Sequence, residues 1–306
     1  MIQRLKNESL SIKIAFSVLF IAVLALLYPT VSDFWNSFHE SRVVQSYQKT
    51  VRKLDNAAYQ AELDRARTFN RGRIAQKPRE DLTGEEKIAY ESLLNVANNG
   101  VMGYIEIPLL QLSLPIYHGL DDAVLQRSVG HLVGSSLPVG GEGTHSVIGA
   151  HRGLPSAKLF TELDRMQVGD LFFLHILDET LTYKVDKISI ITPDQWAPLA
   201  PVPEKDFCTL LTCTPYGINT HRLLVRGERI DNPVNSRVVA DALILESEKV
   251  ALFLAIPVLC ILFVLVLRPR KKTSHKSIRR MRFLVKKKAF LGQEHKESDR
   301  KQKEEN

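Results

Sequence analysis

Three side chains in this sequence have the types and settings that nucleophilic catalysis needs. Cys213 closes an apolar, threonine-rich run, Thr209-Leu-Leu-Thr-Cys213. Pro215-Tyr216-Gly217 follows as turn chemistry, because proline fixes φ and glycine is free to take a positive φ. Leu223, Leu224 and Val225 then resume an apolar run directly after Arg222. The stretch predicts a strand, a turn and a second strand, with Cys213 leaving one strand and Arg222 entering the next. Nearby positive charge favours the reactive thiolate of a cysteine. An arginine stays charged at any working pH and can hold an oxyanion or a carbonyl. His151 ends another apolar run, Ser146-Val-Ile-Gly-Ala-His151, just before a Gly/Pro loop. An imidazole delivered there by a rigid strand can move protons for the thiol.

Each of these has a competitor. Cys208 reads as a buried core thiol, the usual state of a free cysteine. By strand alternation it faces away from Cys213, so the two are not expected to pair. His145 lies six residues upstream of His151 with the same strand parity, and spacing alone does not choose between them. His118, His131, His175 and His221 are further imidazoles. Arg226 shares the strand face of Arg222. Arg152, Thr212 and Tyr216 flank the three groups and are candidate substrate contacts, although Arg152 reads equally well as a solvated loop charge. No CxxC and no Cys/His set with zinc spacing occurs, so no metal and no cofactor is expected.

The elements that must position these groups are also legible. The 306 residues are 44% hydrophobic and 25% charged, ordinary for a globular chain with a core. Residues 14–31 and 250–267 carry no charge, and each run is long enough to cross a bilayer. The formal net charge of +7 is concentrated between Arg268 and Lys288. A basic flank beside a membrane span accounts for it, so no nucleic-acid surface is implied. Lys and Arg lie on the terminal side of both runs, which predicts two cytoplasmic termini and an extracellular segment between the spans. The first run reads as a signal peptide or an anchor, and the lack of a clean small-x-small site near Tyr28-Pro29-Thr30 favours the anchor.

Between the spans, Val44, Tyr47, Val51, Leu54 and Ala58 follow helical spacing within a helical pattern over 40–70. Residues 71–81 read as a polar loop. Thr83-Gly-Glu-Glu86 has capping-box spacing for a helix reaching about Val96, ended by Asn98-Asn99-Gly100. Beyond Val101, short β-type runs at 104–108, 114–117, 146–150, 171–175, 181–185 and 188–191 predict an all-β barrel or sandwich, with one helical interruption over 159–166. The expected organisation is an N-terminal stub and anchor (1–36), a helical linker with a possible lid (37–98) and a β-rich catalytic domain (99–232). A connector (233–249), a second transmembrane helix (250–268) and a basic cytoplasmic tail (269–306) follow.

Thr209-Leu-x-Thr-Cys213, followed nine residues later by Arg222, resembles the sortases, the cysteine transpeptidases of Gram-positive cell surfaces. The longer string Cys213-Thr-Pro-Tyr-Gly-x-Asn-Thr-His-Arg222 resembles their pilus-building class C branch. The resemblance continues through Ile148-Gly-Ala-His151-Arg-Gly-Leu-Pro, Gly103-Tyr-Ile-Glu-Ile-Pro108, Pro115-Ile-Tyr-His-Gly119 and Gly130-His-Leu-Val-Gly134. It implies a mainly β fold: a closed sortase-type barrel of about eight strands with N-terminal helices and a transmembrane helix at each end. It implies His151, Cys213 and Arg222 as the catalytic residues, choosing His151 over His145. The implied substrate is a Leu-Pro-x-Thr-Gly-type sorting signal of a pilin, cut after Thr and transferred to a lysine amine of another pilin. Anchoring of surface proteins to peptidoglycan, and a non-catalytic surface scaffold, are the alternatives. The branch's Asp-Pro-aromatic lid motif has no match here. Pro78 is the one proline between the N-terminal run and the β-rich region, and Asp33-Phe34-Trp35 lacks proline, so no standard lid is expected.

Overall fold

The computed structural model describes residues 2–73, 82–232, 257–261 and 263–264. Two compact units divide the chain, one made of Met1–Phe20 with Ala251–Asn306 and one of Ile21–Val250. In the larger unit β1 (Val101–Ile107), β2 (Leu112–His118), β3 (Val129–His131), β4 (Thr144–Gly149), β5 (Leu171–Ile176), β6 (Glu179–Ile191), β7 (Asp206–Thr214) and β8 (His221–Ile230) close on themselves. They form a barrel in the order β1-β2-β3-β4-β7-β8-β6-β5. Closure leaves no unpaired edge for another chain to extend.

The β2–β3 and β4–β7 pairs are parallel, and the remaining neighbours are antiparallel. The expected runs at 181–185 and 188–191 are one strand, β6. A register shift between Val185 and Lys187 marks a bulge that inserts Asp186, which is why one strand reads as two. The predicted helical interruption over 159–166 reduces to a 3-10 turn at Leu163–Arg165. A second short helix, with Asp121 capping the amide of Val124, lies at Asp122–Leu125 between β2 and β3.

Helix α1 (Ile2–Val51) contains the first apolar run and is long and apolar enough to cross a membrane. It continues past that run to place Val44, Tyr47 and Val51 in the core of the larger unit. The Tyr47 hydroxyl donates to Met102 O and accepts from Leu177 N, each at 2.8 Å, tying the helix to the barrel. The single helical pattern expected over 40–70 is broken at residues 52–55, where Asp55 Oδ1 accepts from Ala58 N at 2.7 Å and starts α2 (Asn56–Arg73). The expected face does not carry across the break: Ala58 is exposed, and α2 packs on the core through Leu63 and Ala66 instead. The capping box of Thr83 and Glu86 opens α3 (Gly84–Glu91), which stops short of Val96 as Leu94 takes a positive φ. Of the run expected to span at 250–268, residues 257–261 and 263–264 are helical. The rest of it, the connector 233–249, the tail and the loop residues 74–81 lie outside the described residues.

Alternation along the strands produces two apolar clusters. Ile148, Cys208, Leu210 and Val225 belong to the main core inside the barrel. Their neighbours Val147 and Leu224 face outward into a smaller cluster with Leu132, Ile191 and Leu199, against which Leu120, Trp196 and Leu211 pack. Close backbone approach holds the short strand β3 in place: a Cβ added at Gly130 would lie 1.9 Å from Gly119 O. Gly130→Ala is therefore expected to lower the unfolding free energy by roughly 2 kcal/mol or more. Denaturant unfolding of the purified chain checks this, and an unshifted midpoint would refute the close approach.

Candidate active site

The site is built on β4, β7 and β8, three neighbours in the barrel. In the parallel β4–β7 pair Gly149 stands beside Leu211. The same register continues beyond the end of β4. Ala150 N donates to Leu211 O at 3.1 Å, Thr212 Oγ1 donates to Ala150 O at 2.8 Å, and Arg152 Nη1 donates to Thr214 Oγ1 at 3.1 Å. His151 is thereby set alongside Cys213. On the other side of β7, Cys213 is paired directly with Arg222. By this continued register His151, two residues beyond the end of β4, falls in line with the paired Cys213 and Arg222 of β7 and β8. Cys208 and Leu210 point into the barrel, so alternation turns Cys213 and its two row-mates to the outer face. All three are partly exposed.

The next row down that face is Gly149, Leu211 and Leu224. It gives the site an apolar floor, extended by Val147, Leu132 and Leu199. Leu120 seats on Gly149, where an added Cβ would lie 3.0 Å from its Cδ2. The sequence reading did not identify Leu120, Leu211 or Leu224 as part of the site. The parity of Leu211 with Cys213, and of Leu224 with Arg222, was the available signal.

Arg222 Nη1 donates to Asn219 O and His221 O, each at 3.1 Å, which anchors the guanidinium on its own turn. Its remaining N–H groups make no hydrogen bond among the described residues and can meet a carbonyl or an oxyanion. Arg152 is committed differently. Its side chain is 9% exposed and ion-paired with Asp164 at 2.5 Å, so the loop leaving His151 is fastened to the 3-10 turn as well as to β7. Thr212 is buried and holds the β4–β7 register through Ala150. Tyr216 is 60% exposed, with its ring laid over Gly153, where an added Cβ would come within 2.8 Å of the ring.

The competitors are accounted for by geometry. His145 is six residues before His151 along β4, about 20 Å away at strand rise. Its Nδ1 faces Ala200 O at 3.1 Å and its Nε2 faces Thr209 Oγ1 at 2.7 Å, so both ring nitrogens are engaged. Arg226 is ion-paired with Asp186 at 2.5 Å and covers the Phe207 ring at 4.1 Å. Cys208 is fully buried, and burial pushes its thiol well above the usual range, which makes it inert.

A family model described as the sortase domain matches residues 105–230. The crystal structure of sortase C1 from Streptococcus agalactiae is 47% identical, with a TM-score of 0.60, and the match covers 63% of this chain and 100% of that one. The chain belongs to the sortase family. Sortase C of Streptococcus pneumoniae is similar as well, 42% identical with a TM-score of 0.56, over 62% of this chain and 97% of that one. Sortase A of Streptococcus agalactiae is 30% identical over 155 residues, a match that spans 48% of this chain and 62% of that relative.

Two imidazoles away from this row are expected to make the sortase barrel sensitive to acid. His131 Nε2 donates to Ser136 O and its Nδ1 meets Tyr90 Oη, each at 2.8 Å, and burial pushes it down to about 4. Burial likewise pushes His145 down to about 4. An unfolded histidine takes up its proton near 6.5. As pH falls from about 6.5 to about 4 the unfolded chain binds protons that the folded barrel refuses, so stability present above that window is lost within it. The loss reaches at most about 3 kcal/mol per histidine. His145→Asn is expected to remove roughly half of this pH dependence. Denaturant midpoints measured across that window check it, and a slope identical to that of the unaltered chain would exclude His145 as a source.

Proposed function

We propose that this chain is a membrane-anchored cysteine transpeptidase that polymerises pilin subunits. The observation that supports the reading is the β4–β7–β8 register, which aligns His151 with the Cys213–Arg222 pair above an apolar floor. Cys213 Sγ attacks the Thr carbonyl carbon of a Leu-Pro-x-Thr-Gly-type signal. The Thr–Gly C–N bond breaks, and the leaving amine takes a proton from His151. The thioacyl intermediate is then attacked by a lysine amine of another pilin. The C–S bond breaks, and His151 recovers the proton that the incoming amine gives up. Arg222 holds the oxyanion of each tetrahedral state or the adjacent substrate carbonyl. Leu211, Leu224 and Leu120 offer the apolar surface that the Leu-Pro portion of the signal would cover.

The pilin assignment is supported by the similarity to Streptococcus pneumoniae sortase C, whose structure is described with pilin substrate specificity, and to sortase C1 of a GBS pilus island, 41% identical. The apolar N-terminal part of α1 supports a membrane anchor. We place the catalytic barrel outside the cell, with both termini and the basic tail in the cytoplasm and a second span over 250–268.

Cys213→Ala is expected to abolish both thioacyl formation and pilin polymer, and polymer built by that variant would sink the enzymatic reading. Arg222→Ala is expected to lower kcat/KM by about 10²–10³-fold. A gene deletion that leaves the pilin ladder intact while surface proteins lose wall attachment would move the substrate from pilin to peptidoglycan-linked partners. A lysine-bearing amine added in excess should raise turnover, and unchanged turnover would mark a simple thiol peptidase.

A further inference from the structure

We propose that α1 is a positioning element of the active site, through Asp33 and Asn36 gripping the loop that leaves His151. The inference rests on the catalytic role proposed for His151. The loop from Arg152 to Arg165 has no strand of its own and is held by tethers. Arg152 joins Asp164 and Thr214, and Gly153 N donates to Thr161 Oγ1 at 3.1 Å, which pins the two ends together. The middle is held by α1. Lys158 N donates to Asp33 Oδ1 at 2.6 Å, and Asn36 Nδ2 donates to Ser156 O at 2.6 Å. Among the described residues these are the hydrogen bonds of Lys158 N and Ser156 O.

Asp33 and Asn36 are three residues apart, and Glu40, Val44, Tyr47 and Val51 follow at helical spacing along the same face. The last four are buried, so one face of one helix meets the His151 loop at its start and the barrel at its end. Chain separation makes the contact a tertiary one: Asp33 and Lys158 are 125 residues apart, and Asn36 and Ser156 are 120 apart. The grip lies next to the apolar run. Asn36 is five residues beyond Val31, about 8 Å along the helix. The helix that would hold the protein in a membrane therefore also braces, through its later turns, the backbone that leaves His151.

The pair is polar, and both partners on the loop are backbone groups. Replacing Asp33 by Asn keeps an oxygen acceptor for Lys158 N, whereas Ala removes it. An imidazole misplaced by about 1 Å costs about 10²-fold in rate, so a partial loosening is expected to register in kcat before it registers in binding.

The test uses the full chain in detergent or liposomes with a Leu-Pro-x-Thr-Gly peptide. Asp33→Ala combined with Asn36→Ala is expected to lower kcat for thioacyl formation about tenfold while KM stays within about twofold. Asp33→Asn alone is expected to keep the kcat of the unaltered chain. The thermal midpoint of the barrel is recorded for each variant. A double variant with unchanged kcat overturns the proposal. So does a loss that tracks the thermal midpoint and persists in Asp33→Asn. Hydrogen exchange supplies a readout that does not need activity. Faster exchange in the double variant that extends from residues 156–160 back to residues 151–153 supports the brace, and unchanged or purely local exchange refutes it. If the unaltered chain fails to form a thioacyl enzyme, the proposed function falls, and exchange still decides this inference.

Discussion

The parallel pairing of β4 with β7 is the constraint on which the candidate site depends. Side chains alternate with a period of two, so a slip of one residue would send Cys213 into the barrel and leave Thr212 in the groove. Both faces of these strands are apolar at this level, with Ile148, Leu210 and Val225 inside and Val147, Leu211 and Leu224 outside. Hydrophobicity by itself therefore discriminates weakly between registers here. Polar and steric locks supply the difference. Thr212 Oγ1 bonds to Ala150 O, Arg152 reaches Thr214, and Leu120 fills the space that only a glycine at position 149 leaves open.

The turn between β7 and β8 completes the row. Asn219 N donates to Pro215 O at 2.9 Å, and Gly217 and Asn219 take positive φ values of 75° and 61°. Glycine and asparagine are the residues that adopt that region at low cost. The compact turn returns the chain so that Arg222 enters β8 opposite Cys213 and bonds back to the turn's own carbonyls. A longer or differently shaped loop would change the register of β8 and move the guanidinium off the row.

Around this row, polar side chains that sequence patterns treat as surface features are used as fasteners. Arg152 is buried in an ion pair, His145 is a buried link between Thr209 and the Ala200 carbonyl, and Arg226 holds the bulge residue Asp186. The low effective polarity of their surroundings keeps His145 and His131 neutral and makes each satisfied hydrogen bond matter more than it would at the surface. Their role is to hold strands and loops, which leaves the partly exposed trio to face the groove.

Much of this was readable in the chain. Turn residues between apolar runs predicted the hairpin of Cys213 and Arg222, the Thr83–Glu86 spacing predicted the start of α3, and charge-free length predicted the apolar part of α1. Such signals are local, because φ preferences, caps and periodicity act within a few residues. The parallel pairing of β4 with β7, the three-residue strand β3, the unity of β6 across its bulge and the break before α2 were not readable, because each depends on partners beyond the local segment. The same divide separates the candidate residues. Sequence alone determined which groups could react and that Cys213 and Arg222 would lie on adjoining strands, since one tight turn links them. Spacing alone left His151 and His145 level; only the tertiary structure engaged both ring nitrogens of His145 in the β4–β7 packing and made Arg152 a fastener. Both outcomes follow from a register set between segments more than sixty residues apart, which no local preference encodes.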